Sequence, residues 1–171
     1  EVVLAPAIAD ALHPAFGKLF VQTELLRPLQ AILATRRPRS EGEQAPWLCH
    51  LMAVHDTQAS HVSYETDRAR FIGRGRDASR PAAMGVEELS DSEGSVLDPV
   101  VAVRCRIVLE PDASACIDVV TGVAEEREGA VALAEKYRDR RLADRVFDLA
   151  WTHGQVLLRQ LNATPAEAQS Y

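Results

Sequence analysis

The chain has 171 residues, 47% of them apolar and 26% charged, ordinary values for a soluble globular protein and enough for one domain with a real core, or one domain plus a linker. A net charge of −6 excludes a general nucleic-acid binder, which needs a basic excess to displace counterions from phosphates. No stretch approaches the roughly 18 uninterrupted apolar residues of a membrane helix, and no signal peptide opens the sequence.

The first residues, Glu1-Val2-Val3-Leu4, begin in mid-pattern without an initiator Met, which reads as an excised piece or a processed product. Residues 18–26, KLFVQTELL, predict a strand. Residues 36–46, RRPRSEGEQAP, form a long polar loop. Residues 47–54, WLCHLMAV, predict a strand that is apolar on both faces except at His50. A second long loop covers residues 74–98. In residues 100–109, Val101, Val103, Cys105, Ile107 and Leu109 point one way, with Arg104 and Arg106 opposite. The turn signal PDA at 111–113 and a returning strand at 115–121 predict a hairpin with it. Short strands separated by turns point to an antiparallel sandwich. Cys49, Cys105 and Cys116 are too few and too scattered for a disulfide scaffold and read as buried free thiols of a reducing compartment.

After residue 124 the pattern becomes helical. Residues 125–137 are rich in Ala, Glu and Leu. Residues 141–161 confine polar side chains to one stripe (Asp144, Asp148, Thr152, Gln155, Arg159) and are apolar around the rest. A helix bordering one core needs only a modest apolar arc, so this one is expected to pack between two bodies. Trp151 and His153 lie on that wide apolar side and are expected to be packed. Thr164, Pro165 and Glu167 open another helix as N-cap, first residue and capping-box acid.

Candidate chemistry is sparse. His13, His50, His55, His61 and Asp56 show no HxxxH, HxH or CxxC spacing and read as solvent-facing or core-satisfied side chains, with no metal site. There is no Ser or Cys nucleophile signature. The stretch YETDRARFIGRG, residues 64–75, is the most unusual. Its glycines expose backbone N–H groups, and Arg68, Arg70, Arg74 and Arg76 could hold an anion bidentately. Alternatively Glu65, Asp67 and Asp77 neutralise those arginines in a structural network. Trp47, after Pro46 at a loop edge, and Tyr64 are the aromatic candidates for stacking on a sugar.

Five stretches carry a resemblance: LHPAFGKLFVQTEL (12–25), YETDRARFIGRGR (64–76), VLDPVVAVRCRIVLEPDA (96–113), VTGVAEEREGAVALAEKY (120–137) and VFDLAWTHGQVLLRQL (146–161). In this order and spacing the chain resembles the phosphorylase-like region of cyclic β-1,2-glucan synthases, and more widely the glycoside phosphorylase family that includes cellobiose and chitobiose phosphorylases. The resemblance implies a galactose-mutarotase-like antiparallel β-sandwich, a helical linker and an (α/α)6 barrel. Residues 1–124 would be the later half of the sandwich and residues 125–171 the linker, giving a mainly β fold with C-terminal helices.

On that resemblance the catalytic acid and the inorganic phosphate site belong to a barrel following Tyr171. No catalytic residue, cofactor or metal is then expected in this chain. The barrel would pack on the helix of residues 141–161, a homodimer is possible, and glucan oligosaccharides would be met through the parent enzyme, on the cytoplasmic side of an inner membrane. The 64–75 stretch becomes a structural acid–arginine corner of Glu65, Asp67, Arg68, Arg70 and Arg74, with Tyr64 and Phe71 packed beneath. Two alternatives remain: a carbohydrate-binding module using Trp47 and Tyr64, and a scaffolding or dimerisation domain.

Overall fold

The computed structural model describes residues 2–5, 7–38 and 40–168. It divides into two compact units, Glu1–Arg138 and Asp139–Tyr171.

The first unit is a sandwich of two antiparallel sheets. Short helices α1 (Ala7–Leu12) and α2 (Pro14–Lys18) precede the strands. Pro14 supplies the pre-set φ of a helix start, and Lys18 completes the last turn. Phe20 then turns the chain at φ 73°. The strand expected from residue 18 therefore begins only at Val21, as β1 (Val21–Leu26). It leads through a short 3-10 turn and a left-handed Gln30 into β2 (Ala31–Arg36). The remaining strands are β3 (Trp47–His55), β4 (Ala59–Asp67), β5 (Gly94–Ser95), β6 (Pro99–Ile107) and β7 (Cys116–Ala124). One sheet runs β5-β1-β2-β3-β7 and the other pairs β4 with β6.

β2 is the central strand, with Ala31, Ile32, Leu33 and Ala34 all at 0% exposure. Period-2 alternation sends these side chains to opposite faces. Leu33 and Ala31 meet helix α4 (Arg127–Tyr137), where they cluster with Cys49, Leu51, Ala130 and Ala134. Ala34, on the other face, packs with Val2, Leu4 and Val21, and Val101 of β6 reaches that cluster from the second sheet. The small alanines of α4 let the helix approach the sheet closely.

Three expectations are corrected. β6 and β7 are not a hairpin. A turn does form at the PDA signal, closed by Ala113 N–H donating to Glu110 O at 3.0 Å. But the connection of residues 108–115 is long enough to cross the roughly 10 Å between stacked sheets, and β6 joins β4 while β7 joins β3. The compact sandwich unit ends at Arg138, not at residue 124, because α4 packs on β3 and β7. The 74–98 segment is not wholly irregular: it contains a 3-10 turn, Ala82–Gly85, and strand β5.

The second unit holds α5 (Arg140–Gln160) and α6 (Pro165–Ala168). Asp139 caps α5 by accepting from Arg141 N–H at 3.0 Å. Thr164 and Glu167 form the expected capping box, with Thr164 N–H donating to Glu167 at 2.7 Å and Glu167 N–H to Thr164 Oγ1 at 3.3 Å. Along α5 the apolar side is open: Phe147, Trp151 and Leu161 are 73, 69 and 74% exposed. His153 is exposed too, so neither it nor Trp151 is packed as expected. The described residues contain no helix long and apolar enough to cross a membrane.

Candidate functional site

Two places in the sandwich concentrate polar chemistry. The first is the 64–75 corner. Asp67 ends β4 and caps helix α3 (Arg68–Ile72), accepting from Ala69 N–H at 2.8 Å and Arg70 N–H at 3.4 Å. Arg68 donates to Asp98 Oδ2 at 3.1 Å. Arg70 reaches Asp67 only at 3.6 Å and is largely exposed, so that pair stabilises little. The corner closes at Gly73, whose φ of 82° and ψ of 156° are accessible essentially to glycine alone. A Cβ there would meet the Ala82 Cβ at 2.6 Å.

Two members of the expected corner stand apart from it. Arg74 is exposed and has no ion pair among the described residues. Glu65 is claimed by serines rather than by an arginine. It is 3% exposed and accepts from Ser90 Oγ at 2.7 Å, from Ser92 Oγ, and from the Thr66 and Asp67 N–H groups at 3.1 and 3.0 Å. Burial alone would push its pKa up, but these donors outweigh burial and hold it below the usual carboxylate value.

The serines belong to a strap, residues 89–95, that stitches the two sheets together on one side. Leu89 N–H donates to Ser63 Oγ at 3.0 Å, Asp91 N–H to Tyr64 O at 2.8 Å and Tyr64 N–H to Asp91 Oδ1 at 2.7 Å. Farther along, Leu25 N–H donates to Glu93 at 2.9 Å, and Gly94–Ser95 pairs with β1. Between the sheets, Thr23 Oγ1 donates to Thr66 Oγ1 at 2.9 Å, fully buried. The strap occupies the open edge of β4, which otherwise would invite edge-to-edge pairing.

Tyr64 is corrected as a sugar-stacking residue. Its ring is 2% exposed, beneath the Arg27 guanidinium at 5.9 Å, and burial pushes its hydroxyl pKa up. Phe71 is half-buried on α3. Trp47 lies in the other sheet, so the two aromatics share no face.

The second place is a groove of about 440 Å3 beside Trp47. Its floor is one cross-strand row: Gln22 pairs with Thr35, Thr35 with Trp47, and Trp47 with Ala124. Loop 37–46 and the first turn of α4 border it. Arg127 fixes that turn by clamping Glu24 of β1, with Nε donating to Oε2 at 2.9 Å and Nη2 to Oε1. This hydrogen bonding holds Glu24 below the usual carboxylate value. Arg36, 4% exposed, ties the loop down through Glu43. The remaining histidines are dispersed: His50 Nδ1 lies 2.9 Å from Thr121 Oγ1, His55 pairs with Asp118 at 3.0 Å and His61 with Glu88 at 3.1 Å. Among the described residues no group of His, Cys, Asp and Glu could hold a metal ion.

The family model described as "Glycosyl hydrolase 94, supersandwich domain" matches residues 1–140. The chain belongs to this family. It is also 36% identical over 174 residues to the cyclic beta-(1,2)-glucan synthase NdvB of Rhizobium meliloti (strain 1021). That match covers 100% of this chain but 6% of the relative. The supersandwich domain accordingly ends just past α4, in agreement with the compact unit ending at Arg138. Within this family frame, sequence reasoning named Trp47 but missed Gln22 and Thr35, which join it only through strand register, and Gln44, which the 37–46 loop brings to the same groove. It also missed the strap serines. The run LSDSEGS at 89–95, dense in donors for a buried acid, was the available signal.

Proposed function

We propose that this chain is the non-catalytic supersandwich portion, with following helices, of a larger glycosyltransferase or glycoside phosphorylase-like enzyme acting on β-1,2-glucan. One observation carries the reading: the whole chain aligns with only 6% of a glucan synthase. The acids of the 64–75 corner support it, since Glu65 and Asp67 are spent on internal hydrogen bonds. Catalysis, with its carboxylic acid and any inorganic phosphate, belongs to another domain of the parent. The open apolar side of α5 offers a seat to such a domain, an (α/α)6 barrel, or to a second copy. The three free thiols suit the cytoplasmic side of an inner-membrane parent.

Two measurements test this. Incubated alone with β-1,2-glucan and phosphate, the chain should release no sugar phosphate; phosphorolysis by the chain itself would overturn the non-catalytic assignment. Replacing the aligned segment of the Rhizobium meliloti synthase with this chain should preserve cyclic glucan production. A folded but inactive chimera would sink the assignment to β-1,2-glucan chemistry.

A further inference from the structure

We infer that the groove beside Trp47 is a glycan subsite, binding a short neutral oligosaccharide against the indole. Three observations lead there. The cross-strand row places a half-buried aromatic ring in line with the carboxamide of Gln22, with Thr35 between them, its hydroxyl donating to Pro46 O at 3.1 Å and left to the groove as an acceptor. An apolar surface beside planar hydrogen-bonding groups suits a sugar, whose C–H face and hydroxyl edge need both.

The second observation is that the polar groups around the row are not consumed. Among the described residues, Gln22, Gln44, Arg37, Glu125 and Glu126 have no side-chain hydrogen-bond partner, although all line one groove. Arg36 lines it as well. It is 4% exposed, yet its Nε and Nη1 meet no acceptor among the described residues. Buried guanidinium donors without an acceptor are costly, which leaves this end of the groove incompletely satisfied.

The third observation is charge. Glu125, Glu126 and Glu128 stand on the rim, where among the described lining residues Arg37 is the one cation without a carboxylate partner, because Arg36 serves Glu43 and Arg127 serves Glu24. A rim with this balance repels phosphate and other anions. Its carboxylates accept hydrogen bonds from vicinal hydroxyls instead, so the ligand is an uncharged polyol. That it is a β-1,2-glucan rests on the function proposed above.

The test is NMR of the isotope-labelled chain titrated separately with a β-1,2-linked glucotriose, cellobiose and inorganic phosphate. Expected are saturable shifts at the Trp47 indole N–H and the Gln22 and Gln44 carboxamides with the glucotriose. Trp47→Ala should weaken binding about tenfold. Because Trp47 also packs on the α4 cluster, the exposed Gln44→Ala is the second variant, expected to weaken binding about threefold without loss of folding. Cellobiose shifting the same signals while the glucotriose does not would uphold the groove and overturn the β-1,2 assignment. Glucotriose shifts elsewhere on the chain would uphold that assignment and overturn the groove. Phosphate shifting these signals, or no ligand shifting them, would overturn the subsite.

Discussion

The 64–75 corner and the Trp47 groove look alike in sequence, since each sets acids and arginines beside an aromatic residue. In the fold they are opposites. Glu65 has every oxygen claimed by serines and backbone N–H groups, and Tyr64 is buried beneath Arg27. Around Trp47 the amides and rim carboxylates face outward without partners among the described residues. The lesson is that a charged constellation is read by whether its hydrogen-bonding capacity is already used. Used capacity holds the fold, and unused capacity can meet a ligand.

The largest expected effect tests that contrast directly. Glu65→Ala removes the acceptor of two hydroxyls and two backbone N–H groups in a site only 3% exposed. It should cost about 3 kcal/mol, read from the urea midpoint. The matching change on the groove rim, Glu126→Ala, should stay within about 0.5 kcal/mol. Equal costs at the two sites would erase the distinction.

Next in size is Gly73→Ala. The residue sits in a glycine-only backbone region, and the added methyl would collide with Ala82. A loss of about 2 kcal/mol is expected. Gly75, also at positive φ but with nothing within 4 Å of a built Cβ, should lose less on the same substitution. If the two alanines cost the same, backbone strain alone rather than the packing of α3 on the Ala82–Gly85 turn fixes this corner.

Much of this fold was legible from period and turn chemistry. β3, α4, α5 and the Thr164 capping box fall close to their expected places because each signal is local. What was illegible depends on contacts distant in sequence. Nothing in residues 100–121 says that the two strands part after the turn, since each partner, β4 and β3, lies some 40 to 70 residues away. The early end expected for the sandwich follows from treating the onset of helical periodicity as a boundary, whereas Ala130 and Ala134 are core residues of the sandwich. Glu65 reads as a partner of the arginines because they are its sequence neighbours; Ser90 and Ser92 reach it from 25 and 27 residues away. Trp47 could be singled out alone, but its groove is made by register.

The smallest expected effect is the pH dependence, and it separates the two kinds of polar site again. Glu65 is held below its ordinary value, so its contribution to stability is present above the unfolded-state pKa of about 4.3 and is lost as pH falls through the lower, folded value. His50 acts in the same direction by another route. Burial lowers its pKa, so the folded chain resists protonation that the unfolded chain accepts. Its loss therefore begins as pH falls through about 6.5. Stability should decline first gently through the imidazole range and then more steeply below pH of about 4.5. Glu65→Gln should flatten the lower decline while leaving the upper one, and His50→Gln should do the reverse. A lower decline unchanged in Glu65→Gln would mean that the strap serines do not hold a carboxylate, and that the corner owes its stability to packing alone.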